Sequence, residues 1–318
     1  MKKISIIIPC YNSYKYMKHC LENFENQTTK NFELIIIDDC STDDTYFKLL
    51  EYKNKSFLDI KIFKLEKNSG PGIAKSKGVK LASCEYIMFC DSDDWYETSA
   101  IEKITSLLEN KNLDIILYDY NKIVKNKKIK ADTLDKIEKN FNNISSVIAK
   151  NDFSFCCMCI KKELFSKVEI PNLYNGEDVA CIPLILSQTK NIDFIKEALY
   201  NYYFRENSIS NEASPRISKQ LLIAFNYLEK SYFLENDLKE FLGIKIVLYG
   251  VTLNLFKLKK FKEIKDIILN FENKYPNWEK NNYLKELNIS KKIYLYFIRK
   301  KLFFINFLFS EIHKKLLN

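Results

Sequence analysis

One pattern constrains this chain more than any other. Five short apolar runs rich in β-branched residues, at positions 4–8, 34–37, 60–63, 86–89 and 115–118, are separated by stretches whose apolar residues recur every three or four positions. Strands that are apolar throughout need both faces covered, and the intervening helices supply the cover. The expected fold class is therefore α/β, a mostly parallel sheet with helices on both faces. Tyr16, Cys20, Leu21 and Phe24 mark the buried face of the first helix, and Ile101, Ile104, Leu107 and Leu108 that of the helix after the fourth strand.

In open α/β sheets ligands gather at the carboxyl ends of the strands, so the residues leaving each strand are the ones to read. The first strand runs into Pro9-Cys10-Tyr11-Asn12, the second into Asp38-Asp39-Cys40-Ser41-Thr42-Asp43-Asp44, and the fourth into Asp91-Ser92-Asp93-Asp94-Trp95. Asp91 and Asp93 repel one another unless a cation or a basic partner neutralises them. Their hard oxygen donors suit Mg²⁺ or Mn²⁺ completed by phosphates. A solvated turn capping the next helix accounts for the same two residues equally well. Asp39 at a strand terminus suits hydrogen bonds to a nucleobase or ribose, while Ser41 or Thr42 suits a helix N-cap.

Residues 68–78, Asn-Ser-Gly-Pro-Gly-Ile-Ala-Lys-Ser-Lys-Gly, form a glycine turn entering a helix with Lys75 and Lys77 in its first turns. Such a turn suits an anionic phosphate. It matches neither the dinucleotide fingerprint nor the P-loop. Gly176-Glu177-Asp178, taken alone, reads as an acidic first helical turn.

In this order the elements resemble the family 2 glycosyltransferases of the GT-A fold. The resemblance covers about the first 213 residues: Ile-Ile-Pro-Cys-Tyr-Asn, Ile-Asp-Asp-Cys-Ser-Thr-Asp, the 68–78 turn and the Phe-Cys-Asp-Ser-Asp-Asp-Trp segment with its DXD motif. It implies a GT-A (Rossmann-like) catalytic domain over 1–213, with a nucleotide-sugar half at about 1–118 and an acceptor half at about 119–213. Pro9, Tyr11 and Asp39 would surround the nucleobase, with Asp91 near ribose and metal. Asp93 would hold Mn²⁺ or Mg²⁺ on the diphosphate, and Asp178 would be the general base of an inverting transfer.

Lys75 and Ser76 stand where the family often has Arg and Asn, and Lys75 is the expected phosphate contact. Tyr202-Tyr203-Phe204-Arg205 and Ser208-Ile209-Ser210 resemble a segment that closes the site, with Arg205 toward the diphosphate or in a surface ion pair. The implied donor is a nucleotide-sugar, a UDP-sugar of the hexosyl or N-acetylhexosaminyl type. The implied acceptor is a glycan or lipid-linked chain of bacterial capsule or lipo-oligosaccharide.

Two rivals remain at this level. Residues 86–93 also read as the Asp-x-Asp strand of a haloacid-dehalogenase-like phosphatase, although that family wants the motif on its first strand and Thr or Val where Trp95 stands. The other rival is a catalytically idle GT-A domain that binds sugar nucleotide or tethers partners at a membrane.

The charge is uneven. Residues 1–213 carry 30 basic and 31 acidic side chains, while 214–318 carry 20 and 10, so the formal +9 belongs to the last third. That third has helical periodicity and Lys-rich faces, the expected helical appendage, with the junction near 208–215. Residues 291–318 hold seven basic residues and one acid interleaved with Phe and Tyr. This suits an anionic membrane surface, and packing into the protein's own core or against a second subunit of a homo-oligomer suits it too. Nucleic acid is excluded, because an acidic site repels its backbone and no recognition motif is present.

Nine cysteines, with Cys156, Cys157 and Cys159 clustered but only two histidines in the chain, read as reduced and buried rather than as a disulfide or zinc framework. The apolar run after Met1 ends at Pro9 without a cleavage site, and no stretch approaches the roughly 18 uncharged apolar residues of a spanning helix. The expected location is cytoplasmic, peripheral on the inner face of the membrane if the tail binds lipid.

Overall fold

The computed structural model describes residues 3–125, 127–137, 143–150, 154–205 and 213–317. The chain divides into two compact units, Met1–Asn140 with Asp152–Phe204, and Phe141–Asn151 with Arg205–Asn318. The division falls after Phe204 rather than at 213, and a short helix from inside the expected acceptor half joins the second unit.

In the first unit, β1 (Ile4–Cys10), α1 (Tyr14–Glu25), β2 (Phe32–Asp38), α2 (Thr45–Lys55), β3 (Ile60–Lys64), α3 (Pro71–Leu81) and β4 (Tyr86–Phe89) alternate. They are followed by β5 (Trp95–Tyr96), α4 (Ala100–Asn110), β6 (Ile115–Val124) and β7 (Lys127–Lys130). The chain then lends α5 (Ile144–Lys150) to the second unit and returns as β8 (Met158–Lys161), α6 (Glu177–Leu186) and β9 (Ile192–Tyr203).

The sheet order is β3-β2-β1-β4-β8-β6-β9-β5, with β7 paired to β6. β1 lies parallel to β2 and β4, β2 to β3, and β6 to β9, while β8 enters antiparallel between β4 and β6. Chain order reverses at β1, which feeds β2 on one side and has β4 on the other. The crevice beyond their carboxyl ends is thus the topological switch point, and right-handed crossovers place α1 and α2 on one face and α3 on the other.

The five expected strands are β1, β2, β3, β4 and β6. On α1 the buried stripe is Met17, Cys20, Leu21 and Phe24, with Tyr16 exposed. The expected face is therefore rotated by one residue, because Met17, Leu21 and Phe24 keep the spacing of four and three that a single stripe requires. On α4, Ile101, Ile104 and Leu108 are buried as expected, and Leu107 is only half-buried.

The second unit continues with α7 (Pro215–Glu229) and α8 (Asn236–Gly243), which runs through a π-helical stretch, Ile244–Val251, into α9 (Thr252–Lys257). α10 (Phe261–Lys274), α11 (Ile289–Arg299) and α12 (Phe303–Leu317) complete it. Gly243 lets the rod approach its neighbours closely: a Cβ there would lie 2.6 Å from Phe225 Cζ and from Phe271 Cε2. α11 and α12 are separated by a break where Lys301 adopts a left-handed φ of 56°. Among the described residues no helix is long and apolar enough to cross a membrane.

Candidate active site

The exits of β1 and β2 are tied together by side chains. Asn12, at a left-handed φ of 48°, donates its backbone N–H to Ser41 Oγ (2.9 Å), while its Oδ1 accepts from Thr42 N (2.9 Å). The Asp39 N–H donates to Cys10 O at 2.8 Å. Pro9, Tyr11 and Asp39 are thereby brought to adjacent strand ends, with the Tyr11 ring exposed and Asp39 buried.

Asp39 has a structural partner that its position in the sequence did not reveal. Its Oδ1 accepts from Ser69 N and its Oδ2 from Gly70 N, both at 2.7 Å. Burial raises its pKa, and these two backbone donors oppose the rise. The carboxylate anchors the turn before α3, which Gly70 enters at a left-handed φ of 87°. On the far side of that turn, Gly72 packs directly on the backbone, donating to Leu173 O (3.3 Å), and a Cβ there would lie 2.4 Å from Pro171 O. The start of α3 is thus held between the end of β2 and the segment leading to α6.

That docking explains where Lys75 goes. The sequence suggests a phosphate contact, but Lys75 is buried, and its Nζ lies 2.7 Å from Glu177 Oε1 and 3.4 Å from Asp178 Oδ1. The ammonium also faces the Phe155 ring at 5.8 Å. Burial alone favours the neutral amine, but the charges of Asp178 and Glu177 outweigh it and hold Lys75 protonated well above its usual range. The expected phosphate ligand is a counterion to the expected base.

Asp178 begins α6. Its Oδ2 accepts from Phe155 N at 3.1 Å, and one fifth of the side chain stays exposed. Burial pushes its pKa up to about 7 against the opposing pull of Lys75, with Glu177 and Asp91 adding to the rise. A carboxyl poised near neutrality, partly open and fixed through both oxygens, has the properties of a general base.

Asp91 and Asp93 stand half-buried just beyond β4. Asp94, next to them, is buried, with Oδ2 accepting from Tyr200 OH (2.6 Å) and Oδ1 from Tyr203 N (2.8 Å), while Tyr200 OH also accepts from Asp91 N (3.2 Å). Burial raises the Asp94 pKa well above the carboxylate range, with the charges of Asp93 and Asp91 contributing. Among the described residues no three His, Cys, Asp or Glu side chains converge as an all-protein metal cage requires. Two partly exposed carboxylates instead fit a Mg²⁺ or Mn²⁺ ion that takes its remaining ligands from water and substrate phosphates.

The first unit therefore groups Pro9, Tyr11, Asp39, Lys75, Asp91, Asp93 and Asp178 along the strand exits and the first turns of α3 and α6. Arg205 is the first residue of the second unit, and Ser208, Ile209 and Ser210 lie outside the described residues. Tyr200 and the buried role of Asp94 escaped the sequence reading, because β9 carries no local signature and its pairing with β6 shifts register around Asp119, just before Tyr200.

The Glycosyl transferase family 2 profile matches residues 5–168, just over half of the chain. The chain belongs to this family. Similar proteins include Glycosyltransferase GlyG of Streptococcus pneumoniae serotype 4, 29% identical over 218 residues, which are 65% of this chain and 72% of that one. The putative teichuronic acid biosynthesis glycosyltransferase TuaG of Bacillus subtilis is 26% identical over 73% of this chain and 90% of its own. The crystal structure of S. aureus TarS 1–349 in complex with UDP-GlcNAc matches with a TM-score of 0.69 at 20% identity, covering 98% of this chain and 92% of that one. At that identity the match speaks for the fold, which is GT-A.

The phosphatase alternative falls with this result. In this glycosyltransferase the Asp91-Ser92-Asp93 motif follows the fourth strand, at the switch point, and not the first strand.

Proposed function

We propose that the enzyme transfers a hexosyl or N-acetylhexosaminyl group from a UDP-sugar to a hydroxyl of a growing bacterial surface glycan, such as capsule or lipo-oligosaccharide, with inversion at the anomeric carbon. The observation that carries the reading is Asp178, a partly open carboxylate with a pKa near 7 that faces the charge of Asp91 at the switch-point crevice. TarS with bound UDP-GlcNAc lends support on the donor side, and TuaG, named for teichuronic acid, on the acceptor side. The nine free cysteines, most of them buried, accord with a cytoplasmic site of action.

In this reading Pro9 and Tyr11 flank the base, and Asp39 adds a lone pair to the nucleoside while anchoring the α3 turn. Asp178 takes the proton of the acceptor hydroxyl as it attacks, a contribution of roughly 10²- to 10⁴-fold. Glu177 and Lys75 keep that carboxylate oriented. Asp93 and Asp91 would hold Mg²⁺ or Mn²⁺, which when bound supplies Lewis-acid stabilisation of the charge growing on the diphosphate.

Turnover of wild type and Asp178→Asn against a panel of UDP-sugars, with and without Mn²⁺, tests the proposal. Donor hydrolysis or transfer by wild type and its loss in the variant, with UDP affinity retained, is the expected outcome. Tight donor binding without turnover under any acceptor would establish an idle GT-A domain instead.

A further inference from the structure

The last helix of the second unit carries large apolar side chains on both its inner and its outer face. Along α12, Asn306 and Ser310 are fully buried, whereas Phe304 is 71% and Ile312 60% exposed, and Ile305 and Leu308 are also open to solvent. The inner side is occupied: Asn306 Nδ2 donates to Tyr294 O at 2.9 Å, Phe303 packs on Phe256, and Phe307 packs on Phe261. Phe304, Ile305, Leu308 and Ile312 recur at helical spacing and form one outer stripe, with exposed Lys301 just before the helix. α11 repeats the arrangement with Ile289, Lys292, Ile293, Tyr296 and Lys300, all exposed. Large apolar side chains left outside while polar ones are taken inside serve a contact other than the protein's own core.

We propose that the outer faces of α11 and α12 dock on an anionic lipid bilayer. Charge complementarity selects this occupant. Residues 291–318 carry seven basic groups and one acid, and exposed Lys292, Lys300, Lys301 and Lys314 stand on or beside the apolar stripes. A second copy related by a two-fold axis would set the same lysines against one another. A lipid surface offers phosphates to the ammonium groups and an acyl layer to Phe304, Leu308 and Ile312. Beside the α11 stripe a cavity of about 290 Å³ joins an apolar floor of Trp278, Leu284 and Leu295 to Lys285, Lys292 and an Arg299–Glu279 ion pair, a net excess of two cations suited to a lipid phosphate and its chain. No helix among the described residues spans a bilayer, so the contact is with its surface. The inference is independent of the donor and acceptor assigned above.

Flotation of the full chain with vesicles of phosphatidylcholine alone, or mixed equally with phosphatidylglycerol, tests it. Binding to the mixed vesicles, falling with salt and weak on phosphatidylcholine alone, is expected. Lys292→Gln/Lys300→Gln/Lys301→Gln should lower affinity at least about tenfold, and Phe304→Ser/Leu308→Ser/Ile312→Ser should abolish binding. All six residues are exposed, so unchanged thermal melting separates loss of binding from loss of fold. Equal binding to both vesicle types, or variants that bind like wild type, would overturn the proposal. So would a concentration-dependent dimer that the Phe304 variant dissolves, which would make the face an interface between copies.

Discussion

Lys75 Nζ lies 3.4 Å from Asp178 Oδ1 and 2.7 Å from Glu177 Oε1, buried at the junction of α3 and α6. A lysine separated from these carboxylates by about a hundred residues is thus the cation that keeps Asp178 titrating near neutrality, since burial and the neighbouring carboxylates push the aspartate upward and only Lys75 pulls it strongly back.

The first consequence is a pH profile. A base must be deprotonated to act, so with Asp178 at about 7 the value of kcat/KM should rise with pH through about 7 and level off above about 8, where an unperturbed aspartate would already be level near about 5. Initial rates from about pH 5.5 to 8.5 decide it, and a flat profile across that range would remove Asp178 from the role.

Lys75→Met should leave two acidic side chains facing one another in a buried site. Breaking a buried pair costs about 3–5 kcal/mol, so Tm should fall by on the order of ten degrees. Because the ammonium lowers the Asp178 pKa, the acidic limb of the activity profile should move to higher pH. A variant with unchanged melting and an unchanged limb would show that the ion pair does neither job.

At Gly72 the obstacle is backbone. A Cβ would lie 2.4 Å from Pro171 O and 2.8 Å from Leu173 O, and no rotamer relieves either contact. Gly72→Ala should therefore cost about 1–3 kcal/mol and shift α3 away from the segment leading to Asp178, lowering kcat. Chemical denaturation and steady-state kinetics read the two effects, and wild-type values in both would contradict this packing.

Asp94 is expected to matter without touching substrate. Asp94→Ala leaves Tyr200 OH and Tyr203 N without their acceptor, about 1–3 kcal/mol for each buried group left unpaired. Tyr200→Phe removes two bonds, the one Tyr200 OH donates to Asp94 and the one it accepts from Asp91 N. Donor KM should rise in both, and most in Tyr200→Phe, because that hydroxyl holds the backbone of Asp91 directly.

Chelation tests the two carboxylates beyond β4. EDTA should abolish transfer and Mn²⁺ or Mg²⁺ restore it, while Asp93→Ala should lose the restoration at unchanged Tm. Full turnover in chelator would remove the metal from the reaction.

Much of the fold was legible because its signals are local. Each of β1 to β4 and β6 announces itself as an apolar run, and the acidic clusters at 38–44 and 91–94 follow two of those strands directly. β8 is four residues long, and β9 carries Lys196 and Glu197 within it, so both read as loop until their partners are known. Asp39 and Lys75 show the same limit at the level of side chains. Their residue types pointed to a ligand, and each also has a protein partner from a distant segment, Ser69 and Gly70 for one and Glu177 and Asp178 for the other.

Periodicity and strand-end chemistry, which depend on neighbours in the chain, determined the α/β class, the place of the site at the strand exits and the basic helical character of the last third. Tertiary structure decided what no local spacing encodes: that Lys75 pairs with the carboxylates of Glu177 and Asp178, that Asp94 is held by β9, and that α12 takes Asn306 inward and leaves Phe304 outside. The physical reason is common to all three. Burial and electrostatic pairing act through space, so the state of a charged or apolar side chain is set by which distant segment the fold brings against it.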